Sequence, residues 1–144
     1  MITTKSIDLV LNKLMDSKNE TIAILEKFIL LGIDIVETTE ELSAEIEDFD
    51  GTYQFHVLDI KYDFYISFNH GQITYFRGVN EDAVSRLFFT RDIIIKLFRK
   101  EIGGLEAYMK GYIKLKGSLS SALKIRNFLG LLIRYLTNIS KNGK

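Results

Sequence analysis

The sequence predicts an α+β domain in which helices at both ends of the chain enclose a set of five strands. Apolar residues recur every three or four positions within the first 48 residues and again over residues 119–139, as in amphipathic helices. Between residues 52 and 116, aromatic and β-branched residues follow a period of two instead, which is typical of strands. The chain has 144 residues, of which 47% are hydrophobic, so one domain with a sizeable core is expected.

Three helices are predicted in the N-terminal part of the chain. The first covers residues 7–14. Asn19 is expected to cap the second helix and Gly32 to end it, because these residue types favour helix termini. The third helix covers residues 39–48; it is acidic and has a thin apolar side. The N-terminal part is therefore predicted to be helical throughout.

The strands are predicted from alternation and from the turns between them. Gly71 can adopt a positive φ angle, so it marks a hairpin turn. In the last strand, Ile113 and Leu115 alternate with Lys114 and Lys116, which indicates one covered face and one exposed face. The predicted strands cover residues 52–58, 62–68, 72–77, 83–89 and 112–116, with helices over 91–100 and 105–110 between the last two.

The last helix, predicted over residues 119–139, is more apolar than one packed face requires. A stripe formed by Ala122, Ile125, Leu129, Leu132, Leu136 and Ile139 is widened by Leu119, Leu123, Phe128, Leu131 and Ile133. Such a helix needs cover on more than one side. A core, a second copy of the chain and a bound lipid each satisfy that need, and the pattern alone does not choose among them.

Charge is unevenly distributed along a chain whose net charge is zero. Residues 1–50 carry 12 acidic and 4 basic side chains, whereas residues 91–144 carry 3 acidic and 12 basic ones. The two ends either face each other, within the fold or across a homodimer, or leave a basic face for transient contact with an anionic membrane surface or for an acidic partner. No nucleic-acid-binding motif can be placed, so no nucleic-acid partner is expected.

Several classes of function find no support in the sequence. The chain has no Cys, and its two histidines, His56 and His70, fall in a strand and a turn. No nucleophile elbow, phosphate-binding loop or dinucleotide fingerprint is found, so we expect no catalytic residues, no metal site and no cofactor. The N-terminus lacks the apolar run of a signal peptide and no segment is long enough to span a bilayer, which predicts a cytoplasmic protein.

The order and spacing of several short motifs resemble the sterol carrier protein type two domain. The most specific stretch runs from Gly111 through Gly117 and Ser118 to Ala122–Ile125, with the sequence GYIKLKGS followed by ALKI. Weaker matches are residues 50–55 and 70–71, and the segment from Ala83 to Thr90-Arg-Asp92. The resemblance covers about residues 40–136.

That resemblance implies a fold and a function. Members of the family have a five-stranded, mainly antiparallel sheet covered on one face by helices, with an apolar tunnel between the two layers. They bind fatty acids, acyl-CoAs, phospholipids or sterols with loose specificity and have no catalytic residues. The expected division is an N-terminal helical extension over residues 1–36 and a lipid-binding domain over residues 37–144.

The resemblance also selects candidate residues for the tunnel wall. They are the apolar residues expected to face between sheet and helices: Ile66, Phe68, Leu97, Phe98, Leu105, Tyr108, Met109, Ile113, Leu115, Leu123, Phe128 and Leu132. Arg126 stands where relatives tend to carry Gln near the polar part of the ligand. It either pairs with a carboxylate or phosphate head group or lies in solvent beside the apolar stripe.

Two functions follow as hypotheses. In the first, the chain is a non-catalytic lipid-binding or lipid-transfer protein that holds a fatty acid, acyl-CoA, phospholipid or sterol-like ligand in the tunnel. In the second, it is an accessory or protein-interaction subunit of the same fold, in lipid or quinone metabolism, whose tunnel is closed. An apolar cavity between sheet and helices favours the first hypothesis, and a well-packed interior favours the second.

Overall fold

A computed structural model of the chain describes residues 4–13 and 17–142. Its centre is one sheet with the strand order β3-β2-β1-β4-β5. The strand β1 pairs in parallel with β4, and the other three pairings are antiparallel. The strands are β1 Asp50–Val57, β2 Tyr62–Asn69, β3 Gln72–Arg77, β4 Ser85–Phe89 and β5 Lys114–Gly117. The predicted α+β class with a five-stranded, mainly antiparallel sheet is confirmed.

Six helices surround the sheet in the described part of the chain. Residue 14, the last of the first predicted helix, lies outside the described residues. A short 3-10 turn, Leu58–Ile60, follows β1. The helices are α1 Thr4–Lys13, α2 Lys18–Thr38, α3 Glu40–Glu45, α4 Arg91–Phe98, α5 Gly104–Met109 and α6 Leu119–Asn142.

The second helix is longer at both ends than the sequence predicts. Ser17, not Asn19, caps it, since the Ser17 hydroxyl accepts a hydrogen bond from the Glu20 N–H at 3.3 Å. The helix also continues past Gly32, so the predicted stop there is wrong. A β-carbon at Gly32 would lie 3.8 Å from Leu132 Cδ2, so this glycine sits where α2 approaches α6.

The division of the chain predicted after residue 36 falls within α2 and stays a prediction. Two residues that precede it, Leu11 on α1 and Leu25 on α2, belong to the same buried cluster as the sheet residues. Val36 and Leu42 continue this cluster on the other side of the proposed boundary.

The sheet buries one face against the helices. Strand alternation places Tyr53, Phe55 and Val57 of β1 on that face, and all three are buried. On β5, Leu115 is half-buried, whereas Lys114 and Lys116 point to the other face and are exposed. The predicted alternation of this strand is therefore confirmed.

The connection from β3 to β4 crosses part of the other face. This connection covers Gln54 of β1, whose side chain is fully buried although it points away from the helices. Gln54 Nε2 donates to the carbonyl oxygens of Phe64 at 2.9 Å and Gly78 at 3.0 Å, and its Oε1 accepts from the Asn80 N–H at 2.7 Å. These bonds satisfy the buried amide and fix the crossover segment, residues 78–84, on the sheet.

Helix α2 is tied to the edge strand β3 by a polar cluster. Glu26 accepts hydrogen bonds from the Tyr75 hydroxyl and from Arg77 Nε, both at 2.7 Å, and Tyr75 also bonds to the Tyr62 hydroxyl. Those two hydrogen bonds, with Arg77 contributing most, hold the pKa of Glu26 below its usual value. The cluster thus fixes the helix layer over the sheet edge with a charged carboxylate.

Candidate functional site

Beneath α6 the space between helix and sheet is filled by aromatic rings. Phe128 of α6 and Phe68 of β2 have ring centroids 6.2 Å apart, and Phe49, which follows α3, contacts both at 5.9 and 5.5 Å. Tyr53 of β1 adds an edge contact with Phe68 at 5.6 Å. The predicted wall residues Phe68 and Phe128 therefore meet in a packed interior, in which edge-to-face contacts are favourable.

The Tyr53 hydroxyl is the one polar group on the rings of this aromatic interior. Burial raises the pKa of Tyr53, and a hydrogen bond with the Ser121 side chain on α6 opposes that rise. The hydroxyl therefore stays neutral at physiological pH.

Three further predicted wall residues lie around the same core. Ile66 of β2 and Phe98 of α4 are partly buried and pack against the buried cluster, and Phe98 contacts the Phe28 ring of α2 at 5.6 Å. Leu97 of α4 is half-buried. The helix–sheet interior thus continues from α6 to α4 and α2 along the covered face.

Leu132 packs against the core from a different direction. It is partly buried, and its Cδ2 atom lies close to the backbone of Gly32 on α2. A β-carbon at Gly32 would lie 3.8 Å from this atom, an ordinary van der Waals contact, so the approach does not require glycine. Leu132 therefore contributes to the contact between two helices.

Helix α5 contributes its predicted residues to the surface. Leu105, Tyr108 and Met109 are 48%, 41% and 76% exposed, whereas Ala107 on the opposite side is fully buried. Leu123, on the second turn of α6, is also exposed. A short helix that buries one small side chain is weakly held, because few apolar contacts oppose its opening.

Arg126 lies on the surface beside the start of α5. Its guanidinium donates to Asn127 Oδ1, with the shorter bond at 2.8 Å from Nη2. Its aliphatic part covers Gly104, where an added β-carbon would lie 3.1 Å from Arg126 Cγ. The charged head is thus in solvent while the stem packs on the first residue of α5.

A groove of about 540 Å³ opens at the edge of the sheet near α5 and β5. It contains three predicted wall residues, Tyr108, Ile113 and Leu115. The groove also extends onto the sheet face that points away from the helices. Its lining there is Phe88, Lys114 and Lys116, which share that face because Phe88 of β4 pairs with Lys114 of β5. The full lining is Leu58, Phe88, Tyr108, Gly111, Ile113, Lys114, Leu115 and Lys116.

The predicted residues therefore fall into four places: the aromatic interior with the core around it, the contact of Leu132 with α2, the exposed side of α5 with the adjacent turns of α6, and the groove. The sequence reasoning missed Phe49 in the interior, and Leu58 and Phe88 in the groove. Phe88 could have been placed on the outer sheet face from the sequence, since strand alternation puts it on the same face as Arg86. Phe49 carried none, because it lies outside both helix and strand.

The most polar cluster on the outer face is built around His56. Its Nδ1 bonds to Asp63 Oδ1 at 2.6 Å, and its Nε2 lies 3.1 Å from Arg86 Nη2, while the ring stacks on Phe88 at 4.4 Å. An Arg can only donate, so Nε2 accepts and Nδ1 carries the proton. Both ring nitrogens are thereby occupied, which leaves neither free to take a proton from a substrate.

Among residues 4–13 and 17–142, no group of three or more His, Cys, Asp or Glu side chains is placed to hold a metal ion. None of the helices in this part of the chain has the length and hydropathy required to cross a bilayer.

The family of the chain is shown by sequence. A family model described as the SCP-2 sterol transfer family matches residues 34–130, about two thirds of the chain. The chain belongs to this family. The match confirms the resemblance found in the sequence motifs, and it supports lipid binding or transfer as the general class of function. A comparison with curated proteins gives no significant match.

Solved structures of SCP-2 proteins share the fold. The structure described as UbiJ-SCP2 ubiquinone synthesis protein has a TM-score of 0.61 at 15% identity, covering 82% of this chain and 95% of the other. The solution structure of sterol carrier protein domain 2 of Helicoverpa armigera has a TM-score of 0.56 at 20% identity, covering 78% and 87%. At such identities these likenesses show the fold alone.

A third neighbour is a much larger protein. The sec-alkylsulfatase Pisa1 from Pseudomonas sp. has a TM-score of 0.55 at 18% identity, with 60% of this chain covered. This SCP-2 chain spans only 14% of the length of that enzyme. The likeness therefore concerns one part of the sulfatase and shows a common fold for that part.

Proposed function

We propose that the chain is a non-catalytic cytoplasmic lipid carrier that takes up the alkyl part of a fatty acid, acyl-CoA, phospholipid or sterol-like molecule between its sheet and its helices. Each methylene group transferred from water contributes about 0.8 kcal/mol, so a long chain binds without special chemistry. The match of residues 34–130 to a sterol transfer family supports this proposal most directly.

In this proposal the ligand enters beside α5. The helix buries only Ala107, and glycines lie at both of its ends: Gly103 before it, Gly104 as its first residue and Gly111 after it. Gly111 has a φ of 80°, a conformation that favours glycine. Displacement of α5 exposes the adjoining interior at little energetic cost, since one small buried side chain has to be uncovered.

The proposed wall keeps the residues selected from the sequence. The residues in the interior contact the distal part of the alkyl chain. The residues on α5, in the groove and on α6 line the path by which the alkyl chain enters from the surface. The proposed set is Ile66, Phe68, Leu97, Phe98, Leu105, Tyr108, Met109, Ile113, Leu115, Leu123, Phe128 and Leu132. Arg126, which lies over the start of α5, is proposed to pair with an anionic head group at the entrance.

Native mass spectrometry of the freshly purified chain, with organic extraction of what accompanies it, tests the proposal. We expect a co-purified fatty acid or phospholipid near one molecule per chain. A ligand-free mass that stays unchanged after incubation with oleate, acyl-CoA and a sterol contradicts lipid binding.

The role of Arg126 is tested by replacement. Arg126→Ala is expected to weaken binding of oleate more than that of its methyl ester, because only the carboxylate pairs with the guanidinium. Arg134→Ala, an exposed arginine further along α6, is the matched control and should leave both affinities unchanged. Equal loss for both lipids after Arg126→Ala would show that the residue acts through its packing on Gly104.

A second function, an accessory subunit whose interior stays closed, has one structural observation in its favour. The rings of Phe49, Phe68 and Phe128 fill the space beneath α6, so that part of the interior holds no ligand without rearrangement. A protein partner would then replace the lipid as ligand. The ligand-free outcome of the mass spectrometry experiment favours this function, and pull-down with the full chain would follow.

A further inference from the structure

Apolar side chains cluster on the exposed side of α5 and on the turn that follows it. Leu105, Tyr108 and Met109 stand at positions i, i+3 and i+4, so they share one face of the helix. Tyr112 is 49% exposed and lies just beyond the helix end. Monomeric proteins rarely leave such a cluster in water without a partner for it.

The charge around this cluster is predominantly positive. Residues 107–144 contain eight basic side chains and no acidic one, whereas residues 1–50 carry an excess of eight negative charges. Lys114 and Lys116 line the same groove as Tyr108, so both lysines lie near one edge of the apolar cluster. Lys110 is also near, but its charge is offset by Glu106 at 2.9 Å.

The aromatic surroundings of Lys116 keep its charge near the apolar residues. Its Nζ atom lies 5.5 Å from the centre of the Phe88 ring, and Arg86 approaches the same ring at 5.8 Å. The lysine stem thus runs along apolar surface while the ammonium group stays accessible, the arrangement in which lysine reaches phosphate groups above a buried apolar layer.

We propose that this surface docks the protein on an anionic bilayer. The docking surface consists of Leu105, Tyr108, Met109, Tyr112, Lys114 and Lys116. The two lysines contact lipid phosphates, and the apolar side chains enter the head-group region, where tyrosine suits both the apolar and the hydrated side. The acidic N-terminal part of the chain is repelled by the same bilayer, so the charge distribution also orients the protein.

The inference goes beyond the proposed function, because a protein can dock in this way without holding a lipid. The two are nevertheless compatible in space: the helix that carries most of the apolar cluster is the one proposed to open. Docking would bring the entrance to the place where lipid leaves or enters the bilayer.

Co-sedimentation of the full chain with vesicles tests the docking. We expect binding to vesicles of phosphatidylcholine with phosphatidylglycerol, much weaker binding to phosphatidylcholine alone, and loss of binding at high salt because screening removes the attraction. Equal binding to both vesicle types, or no binding to either, overturns the proposal. Self-association without binding to vesicles would instead assign the surface to a second copy and overturns it as well.

Charge variants locate the contact. Lys114→Gln with Lys116→Gln should lower the partition coefficient on anionic vesicles about 25-fold, since each lysine near the leaflet contributes about fivefold. The matched control is Lys18→Gln with Lys27→Gln, which removes the same charge from exposed positions on α2. The control should bind like the unaltered protein; an equal loss in both pairs means general charge attraction and overturns the assignment of this surface.

An apolar variant separates insertion from charge. Tyr108→Ser with Met109→Ser should reduce binding to anionic vesicles about tenfold without altering the thermal midpoint, since both side chains are exposed. Unchanged binding shows that α5 does not enter the bilayer and overturns the proposal. The lipid content of the same variants, measured by mass spectrometry, distinguishes loss of docking from loss of ligand binding.

Discussion

Phe128→Ala is the substitution that most directly tests whether the helix–sheet interior accepts an alkyl chain. Phe128 is only 6% exposed and contacts the rings of Phe49 and Phe68 at 5.9 and 6.2 Å. Removal of a buried phenyl ring costs about 4 kcal/mol in the free energy of unfolding, through lost burial and the cavity it leaves. We therefore expect a large loss of stability in urea-induced unfolding.

The informative quantity is the part of that loss which a fatty acid restores. If the interior is the ligand site, the cavity left by Phe128→Ala gives the alkyl chain more room and raises its affinity. At a ligand concentration one hundred times Kd, binding to the native state adds about 2.7 kcal/mol to the free energy of unfolding. Unfolding curves with and without laurate measure this recovery.

The matched control is Phe76→Ala, on the edge strand and the outer face of the sheet. Phe76 is 42% exposed and stacks on Tyr65 at 4.9 Å, so its removal should cost only about 1 kcal/mol. Laurate should stabilise this variant no more than the unaltered protein. Equal stabilisation of both variants by laurate would refute the assignment of the interior as ligand site.

Two further predictions concern stability alone. Gly117→Ala should lower the free energy of urea-induced unfolding more than Gly78→Ala does. Both glycines have φ near 100°, a backbone conformation that costs an alanine about 1–3 kcal/mol. Of the two, only Gly117 would also bring the new β-carbon within 2.5 Å of a backbone oxygen. Equal costs would mean that the backbone near Gly117 moves freely. Glu26→Gln should cost about 1 kcal/mol at neutral pH. Because the folded-state pKa of Glu26 is lowered by Arg77, this cost should vanish as acid protonates the carboxyl, and a cost that persists would contradict the charge-based account.

Local pattern was sufficient to predict the strands, whereas the sheet they form was implied by the family resemblance. The hairpin around Gly71 and the alternation of lysines with Ile113 and Leu115 are signals within a few residues, and the structure confirms both. Helix ends were less predictable. Glycine is a common helix terminator, yet α2 passes through Gly32, because the burial of Leu25 and Val36 on either side of it outweighs the cost of one glycine within a helix.

The interior and the groove could be predicted only in part, because their residues meet through long-range packing. Phe49 lies after α3, outside helix and strand, yet it joins β2 to α6 through aromatic contacts. Gln54 alternates as an outward residue and is nevertheless buried, since the crossover from β3 to β4 covers it. Neither contact produces a periodic pattern of residues in the sequence.

The proposed opening of α5 predicts that lipid exchange can be slowed by completing the cap of this helix. Gly103 is its N-cap, and Glu106 stands at the third helical position, where a capping box has its acidic member. Gly103→Ser supplies the other half, and no atom lies within 4 Å of the added β-carbon. The new bond should stabilise α5 by a few tenths of a kcal/mol and slow the release of a fluorescent fatty acid by about 1.5- to 2-fold. Gly130→Ala, which stabilises α6 by about 1 kcal/mol without touching α5, is the control and should leave the release rate unchanged. If the two variants slow release equally, exchange follows global stability, and α5 is not the element that opens.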